Sequence, residues 1–164
     1  LGAVKDLLTH FGGHAAAAGF ELPKSKLSEF KKRMKAHMKT ILKADDCKPH
    51  IVVDCEIDHK DINVKTAEML TRFEPFGVGN ETPRFLCRDL QVQDHRMVGA
   101  EGNHLKIRAR INGTQLDCIA FKLGKFAKQL DGNARIDAVC ELEENEWKGN
   151  KKLQLRILDF RVTT

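Results

Sequence analysis

The chain has 164 residues, of which 41% are apolar and 31% charged, with only 12 Gly and 4 Pro; this excludes a disordered or fibrous protein and fits one domain, or one domain and a piece of another. No apolar run approaches the ~20 residues of a membrane span, and no signal peptide precedes Lys5, so neither a membrane protein nor a secreted one is expected. The net charge of +5 lies wholly at the front: residues 1–50 hold 10 Lys/Arg against 5 Asp/Glu, and residues 51–164 hold 18 against 18.

The chain opens on Leu1, in mid-pattern, which suggests that the front of a longer protein is missing. Five cysteines (Cys47, Cys55, Cys87, Cys118, Cys140) form no C-x-x-C pair. An odd count without metal spacing argues against a zinc ribbon or a disulfide framework and predicts buried free thiols in a reducing cytoplasm.

The first local signal is Phe11-Gly12-Gly13-His14-Ala15-Ala16-Ala17-Ala18-Gly19-Phe20. Paired glycines can bring backbone amides against an anion, and His14 adds a donor that becomes a cation when protonated. A tight turn leading into a buried small-residue segment explains the glycines equally. From Ser25 to Ala44, Leu27, Phe30, Met34, Met38, Ile41 and Leu42 recur every three or four residues, predicting an amphipathic helix that Ser25 can cap. Eight Lys/Arg and one acid, Glu29, lie between Lys24 and Lys43. That excess suits a polyanion partner or a solvated helix face.

Ile51 to Ile57 reads as a short strand and Val64 to Phe73 as a second helix, followed by a turn-rich loop from Phe76 to Pro83. The period then changes to two. Strands are predicted at 84–98, 105–111 and 115–121, with Asn112-Gly113 as a hairpin turn. A helical patch at 123–130 and strands at 134–143 and 152–162 follow, the last two joined by a loop at 144–150. Strand, strand, strand, helix, strand, strand is the plan of an OB-fold barrel. The class expected is therefore α+β, with this five-stranded barrel following a glycine-rich motif and a helix.

An OB barrel binds single strands across its second and third strands and the loops between strands one and two and strands four and five. Here that face carries Lys106, Arg108 and Arg110, with Arg96 and His104 near the first loop and Trp147, Lys148, Lys151 and Lys152 around the second. Cations track phosphates, and Trp147 or Phe121 offers a ring on which a base can stack. The same residues also fit a solubilising strand face and a ring packed on its own barrel.

Gly12-Gly13-His14-x-x-Ala17-Ala18-Gly19 resembles the G-G-H-x-x-A-A-G motif of the DHHA1 domain in the DHH phosphoesterase superfamily. Phe73-Glu74-Pro75-Phe76-Gly77-Val78-Gly79-Asn80, Pro83, His104-Leu105-Lys106, Ile119-Ala120-Phe121 and Asn145-Glu146-Trp147-Lys148-Gly149-Asn150 are similar to the carboxy-terminal part of the RecJ family of bacterial single-strand-specific exonucleases. The resemblance covers nearly the whole chain. It implies the end of a DHHA1 domain at 1–46, a connection at 47–83 and an OB barrel at 84–164.

By the same resemblance, the parent protein is a cytoplasmic exonuclease that removes nucleotides from the 5′ end of single-stranded DNA in repair and recombination. Its Mn2+ or Mg2+ is expected in an amino-terminal DHH domain, with no cofactor in this chain. The Asp-His-His signature is absent: Asp58-His59-Lys60 and Asp94-His95-Arg96 lack the second His, so this chain is expected to bind and not cleave. Gly12, Gly13 and His14 are implied to contact substrate phosphates, His14 acting beside the catalytic centre, while Ala17, Ala18 and Gly19 keep the backbone close. Implied partners are single-stranded DNA and the DHH domain. An interaction module recruiting a single-strand-binding protein or a helicase is the alternative.

Overall fold

The computed structural model describes residues 1–130, 133–147 and 150–163, and at 146, 147, 150 and 151 it describes the backbone alone. The chain divides into two compact units, Leu1–His50 and Ile51–Thr164.

In the first unit a 3-10 turn at Gly2–Leu7 precedes a hairpin of β1 (His10–His14) and β2 (Ala17–Glu21), and helix α1 (Leu27–Ile41) follows. Val4, Leu7 and Phe30 are its buried residues, and the Phe20 ring stacks on Phe30 with centroids 4.8 Å apart. Beside the apolar side, Arg33 holds the Asp6 carboxylate with two nitrogens, at 2.6 and 2.9 Å. The helix starts two residues later than expected, and Ser25 does not cap it. A 3-10 turn at Lys24–Lys26 closes the start through the backbone instead, the Lys26 N–H donating to the Pro23 carbonyl at 2.9 Å.

In the second unit, β3 (Cys55–Glu56) and helix α2 (Val64–Leu70) precede β4 (Phe85–Val98), β5 (His104–Ile111), β6 (Thr114–Ala120), β7 (Arg135–Trp147) and β8 (Asn150–Thr163). The sheet runs β3-β4-β5-β6-β8-β7, and β7 returns to pair with β4. Among the described residues the last five strands therefore close a barrel, with a 3-10 turn at Gly124–Gln129 between its third and fourth strands. This is the expected OB architecture.

The strand at 51–57 shrinks to Cys55 and Glu56, parallel to β4 at Phe85 and Leu86. The expected loop at 144–150 is largely strand, since β7 and β8 stay paired out to Trp147 and Asn150. Alternation made the rest legible. Leu105, Ile107, Ala109 and Ile111 point inward, where they meet Leu90, Val92, Leu116, Ile136, Leu155 and Ile157. Asn112 and Gly113 both take positive φ, 45° and 84°, as a two-residue hairpin requires.

Three of the five thiols, Cys87, Cys118 and Cys140, are buried in the core, whereas Cys47 and Cys55 are exposed. Burial pushes the Cys118 thiol up, and a hydrogen bond with Cys87 together with burial does the same for Cys140. Cys118 and Cys140 stay protonated and inert.

Closure depends on β4 bending, because its first half pairs with β7 and its second half with β5. The bend is a bulge between Cys87 and Leu90, where Asp89 takes φ 57°. Buried Asp137 on β7 pins it: Oδ1 accepts the Asp89 N–H at 3.2 Å, and Oδ2 accepts from Arg88 and Arg161 at 2.9 Å each. Burial opposes the Asp137 charge, but Arg161, the Asp89 amide and Arg88 outweigh it and hold the carboxyl below the usual carboxylate range.

Asp137→Asn keeps the shape and removes the charge; loss of charge-assisted bonds to partly exposed arginines is expected to cost about 1–3 kcal/mol at neutral pH. A depressed folded pKa stabilises above the unfolded value of about 3.9, and the contribution fades as pH falls through the lower folded value. Thermal melts from pH 7 downward should show the gap between wild type and variant closing at acid pH. A gap that persists unchanged would remove the ionised carboxylate as its source.

Candidate nucleic-acid interface

The β5–β6 face carries outward side chains in rows set by register. Arg96 on β4 pairs with Lys106 on β5, Lys106 with Ile119 on β6, and Ile119 with Arg156 on β8. The next row reads Asp94, Arg108, Asp117 and Gln154, and Arg110 stands opposite Gln115 beyond it. Asp94, Arg96, Lys106, Arg108 and Asp117 line a depression of about 180 Å³. The first row is thus a run of cations broken by one apolar residue, and the second sets an acid on either side of Arg108. Phosphates are favoured along the first row and repelled at the flanks of the second.

Phe121, just past β6, is half exposed. The His104 ring meets it edge-on at 5.3 Å, and the Arg156 guanidinium lies 5.7 Å from its centroid. The Lys122 N–H donates to His104 Nδ1 at 3.0 Å, which orients the imidazole and leaves Nε2 as its donor. His104 therefore braces the ring, and Phe121 presents a supported aromatic surface.

Sequence reasoning missed Arg156. It also lies 3.4 Å from Glu141 and 3.5 Å from Glu143 on β7. Burial pushes the Glu141 carboxyl above its ordinary range; Arg156 pulls it down, Glu143 pushes it up, and Arg84 pulls it down. The available signal was alternation along the last strand, Lys152, Gln154 and Arg156. Only the parallel pairing of β6 with β8 shows that this alternation reaches the binding face.

Lys152 is exposed beside Thr114, Gln115 and Asp117, in a separate depression of about 430 Å³. Lys148 lies outside the described residues, as do the side chains of Trp147 and Lys151. Of the binding residues expected around the second loop, Lys152 alone has a described side chain.

The glycine motif in the first unit is the β1–β2 hairpin, exposed throughout and not a buried segment. The pairs are Phe11 with Phe20, Gly12 with Gly19, Gly13 with Ala18, and His14 with Ala17. Side chains alternate across a strand, so His14 shares a face with the Gly12–Gly19 pair and the phenylalanines take the other. A Cβ on Gly12 or Gly19 would meet nothing within 4 Å, which leaves bare, accessible backbone beside His14. The Ala16 N–H donates to His14 Nδ1 at 3.3 Å, so Nε2 is the ring's outward donor. Gly13 differs: its Cβ would strike the Ala17 carbonyl oxygen and lie 2.5 Å from Ala18 Cα.

Among the described residues, no group of three or more His, Cys, Asp and Glu could hold a metal ion, and no helix is long and apolar enough to cross a membrane. The side chains here do not fit an Mn2+ or Mg2+ site, and no hydrolytic step is derived through them.

A family model described as the RecJ OB domain matches residues 53–159. The single-stranded-DNA-specific exonuclease RecJ of Bacillus subtilis strain 168 is 33% identical over 163 residues, 99% of this chain and 21% of the relative. Its counterpart from Escherichia coli K12 is 28% identical over 153 residues, 92% of this chain and 26% of the relative. The crystal structure of Thermus thermophilus RecJ in complex with Mn2+ superposes with a TM-score of 0.77 at 26% identity, covering 97% of this chain and 22% of that one. The same organism's RecJ in complex with Mg2+ gives 0.78 at 27%, over 97% and 24%. The chain thus spans about a fifth to a quarter of the length of these proteins.

Gly13→Ala is expected to force the hairpin apart, whereas Gly12→Ala and Gly19→Ala leave it paired. Amide hydrogen exchange over residues 10–21 separates them: lost protection is expected in the first variant alone. Equal protection in all three would mean that Gly13 is not required by the strand pairing.

Proposed function

The chain belongs to the RecJ OB domain family, and on that footing we propose that it is the strand-holding part of a longer, metal-dependent exonuclease that degrades single-stranded DNA from the 5′ end in repair and recombination. The observation that carries the proposal is the row Arg96, Lys106 and Arg156 beside the braced ring of Phe121. Cations in line neutralise successive phosphates, and an exposed ring stacks any base, so the strand is held with little sequence preference. Lys106, Arg108 and Arg110 give β5 a basic edge, and Arg96 extends it onto β4.

The first unit is read as the end of a DHHA1 domain. In the intact enzyme the face formed by His14, Gly12 and Gly19 contacts the phosphates of the strand end, with Ala17 on that face leaving room for approach and Ala18 packed against Gly13 behind it. An Nε2–H donor aimed at a phosphate oxygen stabilises the charge that phosphoryl transfer spreads there. The metal ions and their ligands belong to the DHH domain of the parent, a bacterial cytoplasmic enzyme, and this chain binds without cleaving.

Titration of the chain with 5′-phosphorylated single-stranded and duplex oligonucleotides at two salt concentrations, with Mn2+ present, tests this. Expected are single-strand preference, affinity that falls with salt, intact oligonucleotide, and weaker binding by Phe121→Ala by about 1–3 kcal/mol, or roughly 5- to 150-fold. No binding at low salt would leave the barrel as a dock for a single-strand-binding protein or a helicase, and cleavage would contradict the division of labour.

A further inference from the structure

We infer that the lysine stripe of α1 is a second contact for the phosphates of single-stranded DNA, beside that of the barrel; the inference rests on the strand-holding reading above. The barrel half of the sequence is electrically neutral, and the whole net charge lies in residues 1–50. Within those residues α1 sorts its side chains by direction. Phe30 is buried, Met34 and Met38 are half-buried, and Arg33 is committed to Asp6 and the Ala3 carbonyl, with Glu29 3.8 Å away.

At about 100° per residue, Lys31, Lys35, Lys39 and Lys32 fall within one arc of roughly 100°, shared only with Ser28. Glu29 lies outside it, on the Arg33 flank. All four lysines are exposed, and among the described residues none has an ion-pair partner. Lys31, Lys35 and Lys39 follow one another about 6 Å apart along the axis, a spacing that lets flexible lysines reach successive phosphates.

Two features separate this arc from an ordinary solvated face. Like charges at i, i+4 destabilise a helix, and a solvated face usually relieves them with Glu at those positions; here none is present. The arc also lacks any apolar residue with which to enter a membrane or seat a protein partner. What remains is charge alone, the chemistry that recognises a phosphate backbone irrespective of base.

The test is the slope of log affinity against log salt for the full 164-residue chain with a 5′-phosphorylated oligothymidylate. In the triple variant Lys31→Ala, Lys35→Ala, Lys39→Ala, whose alanines favour helix, the slope should shrink by about two, at about 0.7 per phosphate contact on a single strand. The triple Lys→Arg variant should retain it, and Phe121→Ala should weaken binding with the slope unchanged. A triple alanine variant that keeps the wild-type slope while the chain still binds would overturn this inference alone and assign the stripe to solvent or an acidic partner. Failure of the wild-type chain to bind DNA would overturn the strand-holding reading and this inference together.

Discussion

The barrel turns on one carboxylate. Asp137 is almost fully buried, yet it accepts hydrogen bonds from the Asp89 amide and from the guanidinium groups of Arg88 and Arg161. A buried charge is tolerated only with partners of that quality. What it secures is the bulge between Cys87 and Leu90, just before Gln91, where β4 passes from β7 to β5. Arg88 also reaches Glu56 at 2.8 Å, so the same device ties the short β3 to the barrel. Without the bend β4 could not pair with both β7 and β5, and the barrel would stay open.

The candidate interface is assembled by the β4–β5, β5–β6 and β6–β8 pairings of the same barrel. Arg96, Lys106 and Arg156 come from three strands and become one row only through two antiparallel pairings and a parallel one. Phe121 needs a brace to serve as a platform, and His104 from one strand and Arg156 from another supply it. Arg156 also stands close to Glu141 and Glu143, so an arriving phosphate competes with carboxylates for its charge. With Asp94 and Asp117 flanking Arg108, the positive charge of this face is concentrated in the row of Arg96, Lys106 and Arg156. The first unit carries charge with far fewer acids.

Local patterns were legible and long-range pairings were not. The alternation from Leu105 to Ile111, the Asn112-Gly113 turn and the apolar stripe of α1 each depend on neighbours in sequence. Arg156 escaped notice because its place on the face depends on a pairing of residues 117–119 with 154–156. The glycine motif was recognised, but its two roles became separable only when Gly13 was found against Ala18 and Gly12 against Gly19. Ser25 has the right chemistry for a cap and lost the position to a backbone turn. The stretch 144–150 is rich in polar residues, and the strand character of 144–147 comes from pairing with β8 rather than from its own propensity.

The most direct measurement is a crystal structure of the chain with a short 5′-phosphorylated single-stranded oligonucleotide. The account predicts phosphates along Arg96 and Lys106 and a base stacked on Phe121. A strand bound elsewhere, with the β5–β6 face bare, would contradict it.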